Sequence, residues 1–142
     1  MVAVVTQTGG SPIGYRDGPV LYAKSVCTDI PAAGVTDILE TITLGLKNIG
    51  VYFDVATNAL DQFIVYAKFH PDDSFHSLYT AIDATPTESP LVIAASGTLA
   101  STGAGADGWF LMDVRGIYAI KIGVSGTVAD TTAVNIYACG SR

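Results

Sequence analysis

Charge is the scarcest commodity in this chain. Only 14% of its residues are Asp, Glu, Lys or Arg, against roughly 25% in ordinary soluble proteins. The seven Lys and Arg are scattered singly and the net charge is −6, so no basic stripe exists to neutralise phosphates and nucleic-acid binding is not expected. No apolar run approaches the roughly 20 residues of a membrane-spanning helix, and the first residues lack the basic start and apolar stretch of a secretion signal. Neither feature calls for a membrane, and synthesis in a cytoplasm is expected. Cysteine is nearly absent. Cys27 and Cys139 form no CxxC pair, and two buried thiols are the expectation for a reducing compartment. The alternative, a disulfide joining the N-terminal segment to the last strand, needs their Cα atoms within about 7 Å. Sustained 3.6-residue periodicity, internal repeats and a GxSxG elbow are also missing, which sets aside helical bundles, solenoids and the common hydrolase nucleophile.

What is present is a period of two. Val51, Phe53 and Val55 alternate with Tyr52 and Asp54, and Phe63, Val65, Ala67 and Phe69 alternate with Gln62, Tyr66, Lys68 and His70. Successive side chains of a strand face opposite ways, so both runs read as half-buried strands. The Asn- and Asp-bearing linker between them predicts a β-hairpin with a longer loop. Further strands are expected over 37–44, 77–82, 90–95, 108–114, 117–125 and 133–139. Spaced near ten residues with turn signals between, they predict an all-β protein. The expected form is an antiparallel β-sandwich or jelly roll of about seven to eight strands, occupying residues 35–142. At 142 residues the chain is one domain's worth of core.

Residues 1–34 are punctuated by Gly9, Gly10, Pro12, Gly14, Gly18, Pro19 and Pro31. Such punctuation resists regular structure, and the segment reads as an extended N-terminal arm with a short strand around Pro19 to Val26. It either lies on a neighbouring surface or wraps its own domain. Its apolar residues Val2, Val4, Val5, Ile13, Tyr15, Val20, Leu21 and Tyr22 are the candidate contacts for a neighbouring surface.

Chemical motifs are few. Gly103 to Gly108 matches GxGxxG, but a strand rather than a helix follows at Trp109, so no pyrophosphate-binding helix end is formed. His70 and His76 flank Asp72 and Asp73 around Pro71. They read as a solvated turn without the third and fourth ligands of a zinc site. No catalytic residue, cofactor or metal is assigned, and no enzymatic activity is expected. Trp109, Tyr52, Tyr66, Tyr79 and Tyr137 either line a sugar site or serve packing and interfaces, where Tyr and Trp are enriched.

Two segments carry a likeness to a known family: Asn58-Ala59-Leu60 before a Phe-rich strand, and Gly108-Trp109 leading into Asp113-Val114-Arg115-Gly116. With the order of signals from Lys47 onward, the span from about Val35 to Gly140 resembles the small β-sandwich proteins that decorate or cement the capsids of tailed bacteriophages. The resemblance implies a virion protein on the capsid exterior, a homotrimer that binds the major capsid protein and stabilises the mature shell across capsomer boundaries. Tyr52, Tyr66, Phe69 and Trp109 are the candidate subunit interface. The competing reading is a carbohydrate- or receptor-binding β-sandwich, an adhesin or a tail or neck component, which requires Trp109 or a Tyr pair open to solvent.

Overall fold

A computed structural model describes residues 3–15, 18–58, 60–82, 89–90, 107–128 and 132–142; for residues 13–15, 18–19, 79–82, 89–90 and 107 it describes the backbone alone. The described residues form no helix. They form β1 (Val4–Gly9), β2 (Ile13–Tyr15), β3 (Gly18–Ile30), β4 (Thr36–Ile42), β5 (Asn48–Thr57), β6 (Leu60–Lys68), β7 (His76–Ile82), β8 (Ser89–Pro90), β9 (Asp107–Asp113), β10 (Ala119–Gly126) and β11 (Thr132–Ser141).

Sheet A runs β1-β3-β11-β5-β9-β8, with β2 also on β3, and sheet B runs β4-β10-β6-β7. All pairings are antiparallel except the short β8–β9 contact. Numbered one to eight, β3, β4, β5, β6, β7, β9, β10 and β11 stand in the orders 1-8-3-6 and 2-7-4-5. This is a jelly roll, the double-sheet solution that buries one face of every strand. The predicted all-β sandwich is the observed fold, with β1 added at one edge.

The alternation read from the sequence sorts inside from outside. Phe53, Phe63 and Phe110 are each at most 1% exposed. The Phe53 and Phe63 rings lie 5.0 Å apart, and Phe63 meets Phe110 edge-on at 6.3 Å. Phe63 belongs to sheet B and the other two to sheet A, so these contacts bolt the sheets together. Gly108 is required here, because a Cβ at that position would sit 2.4 Å from the Phe53 ring.

Two expectations are corrected. The 47–70 segment is not a hairpin: β5 lies in sheet A between β11 and β9, and β6 lies in sheet B between β10 and β7. The short link crosses the sandwich, with Asn58 taking a positive φ of 57°, a conformation Asn tolerates better than most residues. Period two identifies a strand without identifying its partner.

The second correction is the arm. The N-terminal third is built into sheet A, and β3 is a 13-residue strand paired to β11 on one side and to β1 on the other. Leu21, Cys27 and Ile30 are fully buried or nearly so, so Leu21 is core and not a contact for a neighbour. Cys27 and Ile30 are an odd number of residues apart, yet both face inward. A bulge at this point, with Asp29 at a positive φ of 57°, supplies the extra residue. The Gly and Pro residues flank this strand instead of interrupting its middle. Strands from before and after residue 34 thus share sheet A. The Gln7 side chain adds a second tie, donating from Nε2 to the Glu40 carbonyl at 2.7 Å while its Oε1 accepts the Glu40 N–H at 2.9 Å. It thus dresses the edge of β4.

Candidate functional site: an aromatic trough on sheet A

Pairing register assembles the site from residues distant in sequence. One row crosses the outer face of sheet A through Thr8, Lys24, Tyr137, Tyr52 and Trp109, on β1, β3, β11, β5 and β9. The next row, two residues or about 7 Å along the strands, runs Tyr22, Cys139, Gly50 and Leu111. Gly50 and Cys139 are small, and the residues around them are large. The result is an open trough of about 750 Å³, floored by Gly50 and Cys139 and bordered by Tyr22, Tyr52, Tyr137, Trp109 and Leu111. A Cβ at Gly50 would come 3.2 Å from the Leu111 Cδ2, so this glycine keeps the floor low.

The rings are presented to solvent. Trp109 is 42%, Tyr137 42%, Tyr52 38% and Tyr22 58% exposed. The Tyr52 and Tyr137 centroids are 6.2 Å apart with their planes tilted by 41°, so the rings are not stacked face to face. Lys24 is the only charged residue among the described residues lining the trough, and its Nζ lies 5.6 Å from the centre of the Tyr137 ring, within cation–π range.

The outer face of sheet B is different. Tyr66 is half-buried, and Lys121 lies over the rings of Tyr66 and Phe75 at 4.9 and 4.7 Å while pairing with Asp37 at 3.2 Å. These two rings are capped by the chain itself. The four candidate interface residues therefore do not share a surface. Tyr52 and Trp109 are cross-strand neighbours on sheet A, Tyr66 is on the opposite side of the sandwich, and Phe69 stands beyond the end of β6, its ring 6.3 Å from His76. Of the candidate arm residues, Val4, Val5 and Tyr22 are exposed and Val20 is half-buried. Ile13 and Tyr15 are described by backbone only, and Val2 lies outside the described residues, as do most of the GxGxxG match and the 90–95 strand beyond Pro90.

The thiols separate by face. Cys27 points into the core, where burial pushes its pKa up, and its Sγ is 3.3 Å from the Ser25 Oγ. Cys139 is exposed on the trough floor, correcting the expectation of two buried thiols. Cys139 pairs with Tyr22, five residues along β3 from Cys27. The two side chains thus lie on opposite faces, roughly 17 Å apart along the strand, and no disulfide joins them.

His70 and His76 share an exposed turn. Asp73 accepts hydrogen bonds from the backbone N–H groups of Phe69 and Ser74 and lies 3.0 Å from the His76 Nε2; that contact, before the backbone bonds, lowers its pKa. Among the described residues no three His, Cys, Asp or Glu side chains converge to hold a metal. Sequence reasoning named Trp109, Tyr52 and Tyr137 but missed Gly50, Cys139, Lys24 and Leu111, because the register that gathers them is not a local property.

No protein-family model matches the chain, and no curated protein matches it. Solved structures show distant likeness. The SPBc2 prophage-derived protein YomS is 12% identical over 97% of this chain and 96% of its own, with a TM-score of 0.46. The K3 cleaved adhesin domain of Lys-gingipain from Porphyromonas gingivalis W83 is 15% identical over 85% of this chain and 74% of its own, TM-score 0.46. The enzymatically active domain of bacteriophage CBA120 tailspike protein 4 is 11% identical over 97% of this chain but only 19% of its own, also with a TM-score of 0.46.

Proposed function

We propose that this chain is a non-enzymatic structural subunit of a bacteriophage particle. In this reading it is seated as a homotrimer on the capsid exterior against the major capsid protein, and it stabilises the mature shell across capsomer boundaries. The observation that supports this most is the edge of sheet A at β1, open over Val4–Thr6 before Gln7 and Gly10 tie the strand to β4. β1 is Val-Val-Thr-Gln-Thr-Gly, exposed over most of its length, with no charge and no proline, and β3 alone among the described strands pairs with it. Unpaired edges invite another chain, and proteins that work alone guard them with charges, prolines or covering segments. Two of the other three edges are guarded: β4 carries Asp37 and Glu40 and is dressed by Gln7, and β8 ends at Pro90, while the third, β7, carries only His76. Beside the bare edge, Val4 and Val26 add exposed apolar surface.

A neighbour that adds a strand to β1 satisfies its open N–H and C=O groups. The N-terminal segment keeps the contacting role expected of it, as a sheet edge and not as a free arm. A subunit that binds only the mature lattice stabilises it by mass action, and many weak copies act together on a multivalent shell. The likeness of residues 35–140 to head-decoration proteins supports the placement on a virion.

The test is co-sedimentation with shells assembled from the phage's major capsid protein, with light scattering for mass. Wild-type protein should run as a trimer and coat expanded shells. The Val4→Lys/Thr6→Lys double variant places edge-guarding charges at exposed positions and should lose coating while keeping its fold. Full coating by that variant would refute the role given to β1. The trough supports a second reading, a receptor- or carbohydrate-binding module. It centres on β5, three strands in from β1, and meets β1 only at Thr8 and Gly9, so substitutions at Val4 and Thr6 leave its lining residues unchanged.

A further inference from the structure

We infer that the trough over Gly50 is a binding site for a neutral glycan, engaged through the faces of Trp109, Tyr52 and Tyr137. This rests on the reading of the sheet A outer face as a binding surface and not on attachment to a shell. Four observations carry it.

The first is size. The trough of about 750 Å³ falls within the roughly 300–1,000 Å³ of small-ligand sites. Its footprint, three strand spacings by one row step, is only about 100 Å² in plan. A stable interface between copies needs about 800 Å² per partner, so the hollow by itself is too small to be one.

The second is how the rings are sorted. Every Phe placed in the sandwich core faces inward, whereas the rings that border the trough are Tyr22, Tyr52, Tyr137 and Trp109, each carrying a hydroxyl or an indole N–H. A purely aliphatic ligand has no use for those polar tips. A pyranose does, since it presents an apolar C–H face to a ring and hydroxyls to the donors and acceptors at the ring's edge.

The third is charge. Lys24 is the one ionic group among the lining residues, and it already lies near the Tyr137 ring. Among the described residues no cluster of cations waits for sulfate, phosphate or uronate groups, which favours an uncharged ligand. The fourth is the contrast with sheet B, where Lys121 covers Tyr66 and Phe75. Among the described residues the exposed aromatic rings other than Phe69, which stands beyond the end of β6, all lie on the sheet whose register also supplies a low floor.

The chain holds a single tryptophan, and it borders the trough, so its emission reports occupancy directly. Full-length protein would be screened on an array of neutral and acidic oligosaccharides. Neutral glucan, galactan and mannan tetrasaccharides would then be titrated while following Trp109 fluorescence. A saturable change with a neutral probe is expected. It should weaken at least tenfold in Tyr137→Ala, which trims an exposed side chain, and in Gly50→Leu, which fills the floor. It should persist in Lys121→Ala on the other sheet and in the Val4→Lys/Thr6→Lys edge variant. Loss of shell binding with sugar binding intact would separate the two sites, and circular dichroism checks that each variant is folded. A silent array with Trp109 emission unmoved by millimolar neutral probes overturns the proposal. So does binding that neither trough variant weakens, a preference for acidic glycans, or a Trp109 change that follows protein concentration without sugar and so assigns the hollow to a second copy.

Discussion

Replacing Leu21 with Ala separates a core strand from a free arm. Leu21 is 0% exposed and its neighbour Tyr22 is 58% exposed on the other face of β3. Truncating a buried Leu removes its transfer free energy and leaves a cavity, about 2–5 kcal/mol together. The upper half of that range applies only if the site cannot collapse. Leu21 sits on a strand held on both sides, by β1 and by β11, so little collapse is expected and about 3 kcal/mol is a fair central value. For a chain of this size 1 kcal/mol lowers the melting temperature by roughly 2–4 °C, which makes the expected loss about 10 °C in Leu21→Ala. Tyr22→Ala, one residue away, should stay within about 0.5 kcal/mol of wild type, as surface substitutions do. Urea denaturation and calorimetry read both. Equal stability of the two variants, or a folded fragment lacking residues 1–30, would refute the placement of β3 in the core.

Other expectations follow from single contacts. Gly108→Ala drives a methyl group into the rigid Phe53 ring and should cost about 1–3 kcal/mol by overpacking, read as a lower denaturation midpoint with an unchanged slope. Hydrogen bonds from the Arg115 side chain, then from its backbone N–H, hold the Asp113 carboxyl down to about 2 from 3.8. Its folded pKa is the lower one, so the stabilisation it lends is present above about 3.8 and disappears as pH falls through about 2. Carboxyl carbon shifts should show that midpoint and its return toward 3.8 in Arg115→Gln. Cys139 is exposed and Cys27 buried. A thiol reagent should therefore label one site in the native protein and two after unfolding, and equal labelling rates would contradict the opposite facing of the two thiols.

The inside and outside of most strands were legible in the sequence. Phe110 and Met112 against Trp109 and Leu111 on β9, and Val134, Ile136 and Ala138 against Tyr137 on β11, separate as their alternation requires. β3 has the same pattern in Leu21, Ala23, Ser25 and Cys27 against Tyr22, Lys24, Val26 and Thr28. The Gly and Pro residues before and after it masked the signal.

Alternation is a local property, set by the pleat of one strand, so the sequence by itself determined an all-β sandwich, its buried Phe residues and a set of outward-facing rings. Which strand lies beside which is decided by what the whole chain can bury at once. Only the tertiary structure split β5 from β6, put β3 between β1 and β11, and left β1 as a bare edge. The trough belongs to that second class. Gly50, Cys139, Tyr137 and Trp109 come from three strands, and antiparallel register alone makes them neighbours.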